Sequence, residues 1–112
     1  MSPIRVALVD DQSLFRAGIR MLVSSQPDLE FVGEAGDGIE GIAMAAESSP
    51  DVILMDIRMP VMDGIESTRE ILAQAAHRGG PQPRVIVLTT FDLDEAAMRA
   101  IRGGARDRKS VV

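Results

Sequence analysis

At 112 residues the chain has room for one domain with one core, and 46% apolar against 26% charged residues is the balance of a folded globular chain. A formal net charge of -5 and a pI near 4.7 argue against contact with nucleic acid or an anionic membrane by this segment. The absence of cysteine excludes a disulfide framework, a thiolate metal site and a cysteine nucleophile. The early apolar run at 6–9 is far too short for a signal sequence or a membrane span, so a cytoplasmic protein with no membrane partner is expected.

Residues 4–9 are rich in β-branched side chains and bounded by Pro3 and by Asp10-Asp11, as a buried parallel strand would be. Ser13 is placed to cap a helix along which Phe15, Ile19, Leu22 and Val23 recur at helical spacing, and Gln26-Pro27-Asp28 ends it. The alternation repeats with a strand over 31–35, a helix over 39–46, a strand over 52–55 and a helix over 64–76. That last helix carries Ile65, Thr68, Leu72 and Ala75 on one face. Residues 78–84 contain two glycines and two prolines and read as loop; 85–88 are a further apolar strand and 94–102 a further helix.

Strands and helices alternating at this spacing call for a doubly wound α/β domain, an open parallel sheet with right-handed crossovers and helices on both faces. The pattern breaks after Gly103-Gly104. Arg106, Asp107, Arg108 and Lys109 fall where a fifth apolar strand is due, and no helix follows. Residues 1–105 are therefore expected to form the domain, and 106–112 an atypical or truncated terminal segment.

In open parallel sheets, ligands bind at the carboxyl ends of strands, beside the point where strand order reverses. Three predicted strand ends carry polar groups directly after apolar runs: Asp10-Asp11, Asp56 and Thr89-Thr90. Three carboxylates on one rim repel one another and take up protons unless a cation offsets them. Oxygen donors without His or Cys suit Mg²⁺, and beside that ion a carboxylate such as Asp56 can attack phosphorus. Each residue also has a plainer reading. Taken alone, Asp10-Asp11 is a solvated helix N-terminus, Asp56 an acid that opens a turn before Pro60, and Thr89 a β-branched strand residue. Their coincidence on one rim carries the functional reading. His77, the lone histidine, reads as a surface or helix-end residue, and the seven methionines as core filling, with Met59 and Met62 shaping the loop beyond Asp56. The glycines of 33–41 lack the spacing of a nucleotide-binding loop and read as turns.

Val9-Asp10-Asp11, Leu54-Met55-Asp56-Ile57-Arg58-Met59-Pro60-Val61-Met62-Asp63-Gly64 and Val87-Leu88-Thr89-Thr90-Phe91 resemble the defining segments of response-regulator receiver domains. Val32-Gly33-Glu34-Ala35 followed by Asp37-Gly38 is similar to the NarL/LuxR subgroup, whose members usually join a receiver to a C-terminal helix-turn-helix. The resemblance, over about 4–105, implies a flavodoxin-like receiver fold of strand order 2-1-3-4-5, with the fifth strand atypical here and the last helix missing. It implies a phosphorelay switch rather than an enzyme, with Asp56 as phosphoacceptor and Thr89 holding a phosphoryl oxygen. Mg²⁺ would be bound by Asp11 directly, by Asp10 mostly through water, by Asp56 and by the backbone carbonyl of Arg58. Met59-Pro60 would shape the loop over the site, and Gly64 would give the backbone freedom as the next helix begins. The implied partners are a sensor histidine kinase, a second copy of the parent protein on phosphorylation, and DNA through a domain not present in this chain.

This sequence departs from the family at its end. The phosphate-binding lysine should fall at Val111 and the switch aromatic at Arg108, and Lys109 substitutes only if the strand register slips. Two readings from other classes stay open. One is a Mg-dependent aspartyl-nucleophile phosphohydrolase, which needs a second Asp where this chain has Arg58; the other is a non-phosphorylated interaction module.

Overall fold

A computed structural model of the chain describes residues 2–57 and 59–88. Within them the chain runs β1 (Ile4–Val9), α1 (Ser13–Ser24), β2 (Leu29–Ala35), α2 (Gly38–Ser48), β3 (Val52–Asp56), α3 (Gly64–His77) and β4 (Arg84–Leu88). All strand pairs are parallel, and the order across the sheet is β2-β1-β3-β4. This is the expected doubly wound order up to the fourth strand; the fifth strand and the helix expected over 94–102 lie outside the described residues. The order reverses between β1 and β3. Connections leaving these two strands therefore part in opposite directions and leave room for a ligand at their carboxyl ends.

The two central strands show why the sheet forms. Val6 to Val9 on β1 and Val52 to Met55 on β3 are buried along their whole length, because helices cover both faces. Strand alternation sends Val6, Leu8, Val52 and Leu54 toward Ile19 and Val23 of α1. Ala7, Val9, Ile53 and Met55 pack with Met44 and Ala45 of α2 and Ile71 of α3. Each large aliphatic side chain so buried contributes about 1.5–3 kcal/mol. Val9 pairs with Met55, which sets Asp10 and Asp56 one step further on at the same rim.

Several local expectations change in the folded chain. Ser13 opens α1 but does not cap it: the N-cap is Gln12, and no side chain fills the role. The helix is entered instead through Asp10, whose carboxylate accepts the Gln12 amide at 2.9 Å. Helices α2 and α3, by contrast, are capped by Asp37 and Asp63, which accept the amides of Glu40 and Glu66 at 2.8 Å. The inward face of α3 is Ser67, Thr68, Ile71 and Ala75, while Ile65 is 44% exposed. Ser67 sets this rotation by donating its hydroxyl to the Gly38 carbonyl at 2.9 Å, which ties α3 to the start of α2. β2 begins at Leu29, two residues before its expected start, and slips register against β1 between Val6 and Ala7, so that Val32 is passed over. Gly38 and Gly41 serve packing rather than turns: a Cβ on Gly38 would lie 2.6 Å from the Met62 carbonyl oxygen, and one on Gly41 would lie 3.0 Å from Val9.

Candidate functional site

The rim at the ends of β1 and β3 gathers three acids from two distant parts of the sequence. Asp10, Asp11 and Asp56 each offer a carboxylate oxygen, and these oxygens all lie within 4.8 Å of one another. Asp10 is buried, Asp56 is half-buried and Asp11 is exposed. Asp10 is anchored through three of its groups. Its backbone amide donates to the Ala35 carbonyl at 3.0 Å, its carboxylate accepts from Gln12, and its carbonyl accepts from a guanidinium nitrogen of Arg16.

Burial pushes the Asp10 carboxyl above the ordinary value for an aspartate, and the neighbouring Asp11 charge pushes it further up. The Gln12 amide and the Arg16 charge pull it part of the way back. Without a counter-ion, ionised Asp10 is thus held at a cost. The donor set fits a hard divalent cation, since three carboxylate oxygens converge and no His or Cys belongs to the group. The backbone carbonyl of Arg58 and the hydroxyl of Thr89, the two other groups expected here, lie outside the described residues.

Asp56 is the last residue of β3, and residues 57–63 lead from it to α3. Gly64 closes this loop by donating its amide to the Ile57 carbonyl at 3.0 Å. A Cβ on Gly64 would lie 2.1 Å from the Asp56 carbonyl oxygen and 2.9 Å from the Ile57 Cα. The glycine is needed for this close approach rather than for backbone freedom, because its φ is not positive. Among the described residues of this loop, Val61 has an unusual backbone, at φ 73 and 77% exposed, a left-handed conformation that β-branched side chains resist. Met59 packs partly buried against the core, and the Met62 backbone lies against Gly38, so both methionines do shape the loop. His77 is exposed in the last turn of α3.

Sequence reasoning did not single out Arg16 or Glu34. Arg16 Nε donates to Glu34 Oε1 at 3.1 Å, and Arg20 donates to the other Glu34 oxygen at 2.7 Å. A helical Arg and a strand Glu carry no shared local pattern, so only the resemblance around Val32-Gly33-Glu34-Ala35 touched this network.

Comparison with known proteins gives the site its context. The family model for the response regulator receiver domain matches residues 6–108. The chain belongs to that family. The transcriptional regulatory protein LiaR of Bacillus subtilis (strain 168) is 46% identical to this receiver over 102 residues, 91% of the chain and 46% of LiaR. The receiver thus spans about half the length of the curated relatives it matches. Among solved structures, the response regulator domain of Thermotoga maritima CheB aligns with a TM-score of 0.69 at 39% identity, covering 93% of this chain and 75% of that one. A two-component response regulator of the LuxR family from Aurantimonas sp. SI85-9A1 also aligns with a TM-score of 0.69, at 30% identity over 94% of this chain and 70% of that one. The NarL/LuxR-type resemblance holds, and the receiver family is one of signalling switches. The phosphohydrolase and passive-module readings give way to it.

Proposed function

We propose that this receiver is a phosphoacceptor switch in which Asp56 takes a phosphoryl group from a sensor histidine kinase. The observation that carries the reading is the meeting of Asp10, Asp11 and Asp56 at the strand-order reversal of a receiver fold. An oxygen of the Asp56 carboxylate attacks phosphorus. The O–P bond forms as the N–P bond of the donor phosphohistidine breaks, and the imidazole nitrogen leaves with the bonding pair and takes up a proton. Asp10, Asp11, Asp56 and the Arg58 carbonyl would hold Mg²⁺, which when bound offsets charge on the transferring oxygens. Thr89 would donate its hydroxyl to a phosphoryl oxygen. Drawn toward the new charge, it would carry the helix expected over 94–102 to a second position. In the parent protein that surface would govern pairing of two copies and the exposure of a DNA-binding helix-turn-helix in the cytoplasm. Slow self-catalysed hydrolysis of the acyl phosphate would reset the switch.

Incubation with acetyl phosphate and Mg²⁺, followed by intact mass measurement, tests the reading. One phosphoryl addition is expected on the unsubstituted chain, with none in Asp56→Asn and none when the metal is chelated. Equal labelling of Asp56→Asn would remove Asp56 from the role.

A further inference from the structure

The acids at the rim are not held equally. Asp10 is fixed through its amide, its carboxylate and its carbonyl, whereas among the described residues the Asp11 carboxylate makes no hydrogen bond or ion pair. What places Asp11 is therefore the peptide that joins it to Asp10, and the carbonyl of that peptide is the one Arg16 grips. Arg16 is itself held. Its side chain is only 18% exposed, Glu34 on β2 accepts its Nε, and its guanidinium lies over Gly36, where a Cβ would come within 3.5 Å of it. Glu40 draws the same corner together by accepting the Gly36 amide at 3.3 Å. The planar fork of one guanidinium thus spans the turn after β1 and the end of β2.

We infer that Arg16, backed by Glu34, is a positioning residue of the cation site: it fixes the Asp10–Asp11 peptide so that the Asp11 carboxylate stays within reach of Asp10 and Asp56. The inference rests on the metal-site reading above and makes a prediction of opposite sign to simple electrostatics. A positive charge beside three acids should weaken cation binding, so removing it should tighten the site. Removing a clamp on ligand geometry should loosen it, by roughly tenfold for a supporting contact of this kind.

Titrating Mg²⁺ into the unsubstituted chain, Arg16→Ala and Arg16→Lys, followed by backbone amide resonances, separates the two. Both variants are expected to lose affinity by roughly tenfold. In the metal-free variants the Asp11 and Gln12 amides are expected to broaden or split while those of β3 stay in place. Arg16→Lys is the sharper variant, since it keeps the charge but reaches with one point donor, and it decides the matter if Arg16→Ala does not fold. Affinity unchanged in Arg16→Lys, or unchanged or tighter in folded Arg16→Ala, would overturn the clamp while leaving the metal site intact. An unsubstituted chain whose Asp10, Asp11 and Asp56 amides ignore Mg²⁺ would overturn the metal site, and the clamp with it.

Discussion

Between Val9 and Asp10, and again between Met55 and Asp56, the central strands pass in one residue from dry core to an acidic rim. In the interior, burial on both faces stabilises every side chain from Val6 to Val9 and from Val52 to Met55. At the rim, burial works against the chain, because Asp10 is only 7% exposed and stands beside a second carboxylate. Stability and function are thus assigned to adjacent residues of the same strands. The paired interior strands carry Asp10 and Asp56 to the same rim, where Asp11 follows as the next residue of the chain.

Gly64→Ala joins the two regions and should have the largest effect on stability. The new Cβ meets the Asp56 backbone at 2.1 Å, with no flexible side chain to give way, so a loss of about 4 kcal/mol or more is expected in urea unfolding. Leu8→Ala acts on the interior alone. It should remove about 2–5 kcal/mol while leaving the Mg²⁺ affinity of the folded protein unchanged, and a parallel loss of affinity would show that core and rim are not separable.

Asp10→Asn should do the reverse, stabilising the metal-free protein and weakening Mg²⁺ binding. The sign follows from linkage. Because the folded Asp10 carboxyl is held above its unfolded value of ~3.9, the folded state binds the proton more tightly. Stability of the unsubstituted chain therefore falls as pH rises from the unfolded value through the raised folded one. The Asn variant escapes that fall, so its advantage should be full above the window and vanish below it. Unfolding curves across that pH range with no difference between the two proteins would contradict this assignment. The smallest effect is expected from Val61→Gly. Relieving a left-handed β-branched residue should gain roughly 1 kcal/mol, offset in part by unfolded-state entropy, with little change at the acids.

Much of the interior was legible because burial on both faces leaves uninterrupted apolar runs, and 4–9, 52–55 and 85–88 could be read as strands directly. The acids were legible for the complementary reason, since each interrupts such a run at its carboxyl end. Features set by contacts between distant residues were not. The slip of β2 against β1, the rotation of α3 away from Ile65, and the entry to α1 through Asp10 rather than Ser13 depend on packing that local periodicity does not encode. Gly64 was visible as a glycine, yet its reason became clear only when the Asp56 carbonyl was found against it.

The most direct test of the account is the unfolding free energy measured against Mg²⁺ concentration, for the unsubstituted chain and for a variant carrying Asp10→Asn and Asp11→Asn together. The unsubstituted chain should begin less stable and gain about 2.7 kcal/mol at a hundredfold excess of Mg²⁺ over its Kd, while the double variant should begin more stable and stay level. Two curves that rise together, or two that both stay flat, would mean that the acids at this rim do not share an ion.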